Sequence, residues 1–317
     1  MEEAKERIRN WRGGMLDLSY LGLTELPEIP AGLTLLDCSN NKLTTLPDTL
    51  PAGLTELICN FNQLKTLPDT LPAGLTLLHC EINYLTSLPN TIPSGLKYLY
   101  CRKNQLLSLP DTLPVGIIEL CCSHNQLTSL PDTLPSGLRH LYVYHNQLTT
   151  LPDTLPAVLY ELNCCYNQLT TLPDTLPTGL RMLICDYNQL LSLPDTLPAG
   201  LRSFHCDYNQ LTTLPDTLPA GLQYLSCSHN QLTSLPDTLP AGLTHLICSH
   251  NQLTTLPDTL PACLGNLYTT DNYLPDRLGD ESIRKYIARV NAIAEAVSKE
   301  RITQRCALVF EELAKKM

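Results

Sequence analysis

Charge is scarce in this chain, and a basic excess is missing. Charged residues make up 16% of the 317, against about 25% in an ordinary soluble protein. The 21 Lys and Arg face 31 Asp and Glu, for a net charge of −10. That balance argues against a general binder of nucleic acid or anionic membranes, which needs cations to meet phosphates. No run of 18 apolar residues occurs, so no membrane-spanning helix is expected. The opening MEEAKERIRNW lacks the apolar core of a signal peptide, and no Asn-x-Ser/Thr acceptor is present. Fourteen cysteines are spread along the chain rather than concentrated in a short scaffold. Together these features predict a reducing, cytoplasmic environment. Enzyme signatures are missing too: no Gly-rich phosphate loop, no H-E-x-x-H, no C-x-x-C and no G-x-S-x-G. No catalytic residue, cofactor or metal site is therefore assigned, and the chain is read as a non-enzyme.

What is present is repetition. Asn41 recurs as Asn62, Asn83, Asn104, Asn125, Asn146, Asn167, Asn188, Asn209, Asn230, Asn251 and Asn272, always 21 residues apart. Numbered from its first leucine, the repeat reads L-x-x-L-x-C-x-x-N-Q-L-T-x-L-P-D-T-L-P-A-G, with one copy running from Leu54 to Gly74. A degenerate copy at Leu16, Leu18, Leu21 and Leu23 precedes the others, and its spacer LPEIPAGL is one residue shorter. This is the leucine-rich repeat signature.

The physical reading is a solenoid. Leu at positions 1, 4 and 11 and Cys at position 6 point inward; positions 3, 5 and 7 alternate outward on a short strand. Stacked copies build a parallel sheet on the concave face, about 55 Å long at 4.8 Å per strand. Asn at position 9 is expected to bond the backbone of its own and adjacent turns. The second half, LPDTLPAG, has no room for a helix. Its two prolines favour extended or polyproline-like backbone on the convex side, and Gly at position 21 is expected to permit a turn. The Asp of position 16, repeated from Asp48 to Asp258, is read as a solvated column accepting local turn bonds.

Three segments follow. Residues 1–14 form an N-terminal helical cap ending at Gly13 and Gly14. Residues 15–274 are the array. Residues 275–317 form a C-terminal amphipathic helical cap or tail. In that last segment Asp280 is the expected N-cap. Ile283, Ile287, Val290, Ala294 and Val297 make one apolar stripe, and Ile302, Cys306, Val309, Phe310 and Leu313 make a second. The break in spacing between Val297 and Ile302 predicts two helices joined near Ser298, or a kink. The segment either covers the last repeat or serves as a partner-binding or self-associating helix.

The cysteines of position 6 are read as core residues, because Val143 takes the same place in one copy. Cys121 and Cys165, at positions 5 and 7, fall on the outward face, where they are candidates for reactivity. The positions that differ between copies are the outward ones, so the concave face is the candidate binding surface for a protein partner. Its candidate residues are Tyr98, Tyr100, Arg102, Tyr142, Tyr144, Tyr166, Tyr187, Tyr208, Tyr224, His229 and His250. Tyrosine offers contact area and a hydroxyl at low entropic cost. Arg102 belongs to a basic group, with Lys97, Lys103, Arg139, Arg181 and Arg202, suited to an acidic partner.

The spacer LPDTLPAGL joined to L-x-x-L-x-C-x-x-N-Q-L resembles the short-repeat class of bacterial effectors injected into host cells, which share an L-P-x-x-L-P type of linker. Similar arrays occur in proteins of amoebal giant viruses. The resemblance covers residues 1–274. It implies a protein-binding scaffold acting in host cytoplasm. Some members of that class attach a ubiquitin-ligase domain of a few hundred residues, whereas 43 residues follow Leu274 here, so the resemblance is to the repeat-only members. A structural or self-assembling repeat protein is the alternative reading.

Overall fold

A computed structural model describes the backbone of residues 1–314 and the side chains of residues 1–301 and 304. The second stripe expected in the C-terminal segment, Ile302 to Leu313, has its side chains outside the described residues. The chain divides into two compact bodies, Met1–Leu190 and Leu191–Met317.

The first body opens with α1 (Glu2–Asn10) and β1 (Gly14–Asp17), then β2 (Leu33–Asp37). Three-residue strands follow at the repeat spacing: β3 (Glu56–Ile58), β4 (Leu77–His79), β5 (Tyr98–Tyr100), β6 (Glu119–Cys121), β7 (His140–Tyr142), β8 (Glu161–Asn163) and β9 (Met182–Ile184). Each pairs in parallel with the next in chain order, as in Leu57 opposite Leu78. The register slips between Gly14 and Met15, and beyond the slip β1 and β2 pair with Met15 opposite Leu35, a step one residue below the usual 21 as the shorter first spacer requires. The second body carries β10 (Ser203–His205), β11 (Tyr224–Ser226), β12 (His245–Ile247) and β13 (Asn266–Tyr268), also parallel and sequential, and ends in α2 (Ile283–Ala314).

The core follows the repeat. Leu54, Leu57, Cys59 and Leu64 are fully buried, as are their counterparts Leu138, Leu141, Val143 and Leu148. Leu at position 14 closes the core from the other side, at 6% exposure for Leu67. No helix interrupts the array, so the spacers are extended and bent backbone, as the paired prolines require. Each spacer ends in a turn in which the Leu54 N–H, for example, donates to Pro51 O at 3.0 Å. Apart from Gly32 of the shorter first spacer, the glycine in that turn does not use left-handed backbone: among glycines, positive φ is found at Gly13, Gly14, Gly22 and Gly32. Val158 and Cys263 occupy the same place in two copies.

The asparagines tie adjacent copies together. Asn62 Nδ2 donates to Cys38 O of the preceding copy at 2.9 Å and to Cys59 O of its own at 3.1 Å, while its Oδ1 accepts from the Leu43 N–H at 3.0 Å. The same pattern is repeated along each body, with the asparagines under 10% exposed from Asn41 to Asn251. Immediately before each asparagine stands a residue with positive φ: thirteen non-glycine residues from Tyr20 to Asp271 have φ between 52 and 58°. Left-handed backbone costs an L-residue about 1–2 kcal/mol. The turn holds because its N–H groups are bonded to the next copy, as in Phe61 N–H to Glu81 O at 3.0 Å.

Both ends are covered by helices. In α1, Ala4 is fully buried and Arg7 Nη1 donates to Asp17 O at 3.1 Å. Among the described residues of α2, Tyr286, Ile287 and Val290 are buried. Asn291 reads the backbone of the array at two points: its Nδ2 donates to Leu256 O at 2.8 Å and its Oδ1 accepts from Leu256 N–H at 3.2 Å. The helix start differs from expectation. Ser282 takes the cap position, with its Oγ accepting from Lys285 N–H at 3.4 Å and its carbonyl accepting from Tyr286 N–H at 2.9 Å. Asp280 lies outside. Glu281 instead receives two hydrogen bonds from Arg289, at 2.9 and 2.7 Å. The spacing break does not divide the segment, since α2 runs unbroken through Ser298.

Candidate protein-binding face

The outward positions of most strands are half-buried while their middle residue is fully buried, as in β3, β4, β5 and β7; β6 and β11 bury their third residue too, and β13 is more open. In the first body this face gathers Tyr98 and Tyr100 on β5, Tyr142 on β7, and Arg102 and Tyr144 at position 7 just beyond those strands. The Arg102 guanidinium lies over the Tyr144 ring, 5.5 Å from its centroid. It reaches two strands across because the copy between them has a small buried Ser123 at that position. His79 and Tyr100 rings meet at 5.3 Å. Tyr142 donates to Glu161 Oε2 at 2.9 Å, and His79 Nε2 pairs with Glu81 Oε2 at 2.8 Å. Burial, then Glu119, push the Tyr100 phenol up to about 12, and burial with the Glu161 hydrogen bond raises Tyr142. Both hydroxyls therefore stay protonated donors across physiological pH.

In the second body Tyr224 lies between two histidines, with ring centroids 4.6 Å from His205 and 5.3 Å from His245. Nearby, the Asp207 carboxylate accepts from the Ser226 hydroxyl and the Ser228 N–H, at 2.6 Å for the latter. Burial raises the Asp207 pKa against those hydrogen bonds.

The remaining candidates lie elsewhere. Tyr166, Tyr187, Tyr208, His229 and His250 all hold the positive-φ position at the turn after the strand. Their side chains stack along the rim rather than lying on the strands. In the first body the stack runs His124–His145–Tyr166–Tyr187, with centroids 4.2, 4.1 and 4.2 Å apart. In the second it runs Tyr208–His229–His250 at 3.8 and 3.9 Å, and His250 ends against Asp271 at 3.3 Å. Rings inside a stack have both faces covered, so they present only edges to a partner. Offset stacking contributes about 0.5–1.5 kcal/mol per pair, which offsets backbone strain at the same residues. Burial, then His145, Arg102 and Lys103, hold the His124 imidazole down to about 4. The His229 imidazole is also held low, by burial and His250.

Neither outward cysteine has the character of a nucleophile. Cys121 is 8% exposed and burial pushes its thiol up to about 11. Burial and Asp186 push Cys165 up to about 12. A thiol at those values is not a thiolate at neutral pH. The Asp column also behaves differently from expectation: among the described residues it accepts no hydrogen bond within its own turns, and Asp258 accepts from Asn291 at 2.7 Å. Among the described residues no group of three His, Cys, Asp or Glu is placed to hold a metal, and no helix is long and apolar enough to cross a membrane.

Residues that single-column reading passed over now join the site: His79, Glu81, Glu119, Glu161 and Ser123. The signal for them is positional. Reading positions 3, 5 and 7 of neighbouring copies together, rather than picking aromatic residues, puts all five beside the tyrosines.

The Leucine Rich Repeat family model matches residues 32–52, 221–241 and 242–267. Among solved structures, YopM from Yersinia enterocolitica WA-314 is 35% identical, with a TM-score of 0.73 over 86% of this chain and 68% of its own. YopM from Yersinia pestis, described as a leucine-rich effector protein, is 30% identical, with a TM-score of 0.54 over 85% of this chain and 93% of its own. The functional domain of InlJ from Listeria monocytogenes, described as including a cysteine ladder, is 27% identical, with a TM-score of 0.67 over 81% of this chain and 63% of its own. No curated protein matches the chain in sequence.

Proposed function

The chain belongs to the leucine-rich repeat family, and from that premise we propose that it is a scaffold that captures a protein partner on the outward face of its sheet, as an effector acting on host proteins in host cytoplasm. The observation that carries this reading is the division of labour within each copy. The leucines, cysteine and asparagine that build the array repeat almost without change, while positions 3, 5 and 7 differ from copy to copy and stand half-buried on one face. Tyr98, Tyr100, Tyr142 and Tyr144 give that face rigid contact area with polar ends. The description of YopM as a leucine-rich effector supports the host-directed part.

The test is capture from a eukaryotic lysate, read by mass spectrometry. Three baits are compared, each shown to be folded by circular dichroism: the wild-type chain, a face variant (Tyr98→Ala, Tyr100→Ala, Tyr142→Ala) and a rim variant (Tyr166→Ala, Tyr187→Ala, Tyr208→Ala). A partner held by the wild type and the rim variant but lost by the face variant is the expected result. Capture that survives the face variant, or a wild-type chain that binds only itself, overturns the reading.

A further inference from the structure

On the outward face of the first body, Cys121 of β6 is small where its neighbours Tyr100 and Tyr142 are large. It lies between Tyr100 and Arg102 on one side and Tyr142 and Tyr144 on the other. The result is a cavity of about 540 Å³, large enough for one side chain and its backbone.

The hydrogen-bonding state of the charged groups around this cavity is uneven. Of the two carboxylates that line it, Glu81 pairs with His79 at 2.8 Å, and Glu119 lies close enough to Tyr100 to help raise its pKa. The guanidinium of Arg102 has no such partner. No carboxylate lies within 4 Å of it among the described residues; its Nε is buried with no hydrogen bond, and Nη2 reaches only His124 Nε2 at 3.5 Å. The Nε is closed to a ligand as it is to water, but Nη1 has no hydrogen bond and is not buried, so it is a donor open to a ligand. The guanidinium is also held in place, lying over Tyr144, and so loses little freedom on binding.

Resting on the scaffold reading above, we propose that Arg102 is the receptor for a carboxylate of the partner: an Asp or Glu side chain of the partner protein enters the cavity and meets the guanidinium. Arginine's planar donors match a carboxylate in two parallel hydrogen bonds, which lysine cannot reproduce. The partner segment this face selects is acidic, although the chain as a whole is acidic too.

The experiment titrates the full chain with two acetylated, amidated pentapeptides, Gly-Glu-Gly-Glu-Gly and its Gln counterpart, and follows by NMR the Arg102 Nε–H resonance in the wild type and the backbone amides of Cys121 and Tyr144 in wild type and variants alike. The expected result is a saturable shift with the glutamyl peptide alone. It weakens about tenfold or more in Arg102→Gln, is intermediate in Arg102→Lys, and falls as salt is raised. Melting curves establish that both variants fold. A shift of equal size with the Gln peptide, no shift with either, or undiminished binding in Arg102→Gln overturns the proposal. A phosphoserine peptide bound more than tenfold tighter than the glutamyl one overturns the carboxylate assignment in favour of phosphate. Failure here is separable from failure of the scaffold reading. Captured partner that is lost in the face variant but retained by Arg102→Gln removes this proposal alone. A glutamyl-specific shift with no captured partner removes the scaffold reading alone.

Discussion

Replacing Asn167 by Ala tests what the asparagine ladder does for the array. Asn167 Nδ2 donates to Val143 O at 3.0 Å, Cys164 O at 3.1 Å and Cys165 O at 3.2 Å, and its Oδ1 accepts from Leu148 N–H at 3.0 Å. Counting all four as lost overstates the damage. Val143 O still accepts from Asn146 Nδ2, Cys164 O from Asn188 Nδ2 and Cys165 O from His145 N–H. The one group left with nothing is the Leu148 N–H, on a fully buried residue. An orphaned buried donor costs about 1–3 kcal/mol, so the expected loss is about 2 kcal/mol. Asn167→Asp keeps the acceptor for Leu148 but sets a carboxylate against three carbonyls. An uncompensated buried charge costs about 3–5 kcal/mol, so Asp is expected to be worse than Ala at pH 7. Guanidinium unfolding followed by circular dichroism measures both, with hydrogen exchange at Leu148 as the local readout, since repeat arrays depart from two-state behaviour. A loss under about 0.5 kcal/mol for Asn167→Ala, or an Asp variant more stable than the Ala variant at pH 7, refutes the reasoning.

Two further outcomes follow from the rim. Tyr166 has φ 53° and stacks on both neighbours, so Tyr166→Ala loses the stack and keeps the strain, while Tyr166→Gly loses the stack and relieves it. The glycine variant is expected to be about 1 kcal/mol more stable than the alanine one in denaturant unfolding, and the reverse order contradicts the strain argument. Burial leads the causes that lower the pKa of His124, His145, His205 and His229 below the free value of 6.5, His124 to about 4. Below pH 6.5 the unfolded chain binds protons that the folded chain refuses, so stability is full above that pH and falls as pH drops towards 4. Asp207, with its raised pKa, acts the opposite way but is one group against four. The melting temperature is expected to decline from pH 7 to 4.5, with the decline reduced in His124→Phe; a flat or rising profile contradicts the assignment.

The repeat made the architecture legible before any coordinates. A constant 21-residue step turns each sequence position into a spatial column, so the buried leucines, the cysteine row replaced once by Val143, the asparagine bonds and the helix-free spacers could all be placed from residue type and spacing. The same logic marked Tyr98, Tyr100, Tyr142 and Arg102 as outward. What a column cannot reveal is where a side chain goes once the backbone leaves the strand. At position 8 the sign of φ decided it: left-handed backbone turned Tyr166, Tyr187, Tyr208, His229 and His250 along the rim, where they stack on one another. Nor does residue type show which polar groups already have partners. That His79 satisfies Glu81 while Arg102 Nε is left without a hydrogen bond depends on how far each side chain reaches, Arg102 lying over Tyr144 two copies on, and the cavity at Cys121 depends on the size of the residues on either side. The cap of α2 shifted from Asp280 to Ser282 for a similar reason, because Glu281 is held by Arg289 two turns along the helix. Spacing determined which residues share a row; distances between rows decided which of them have binding capacity left over.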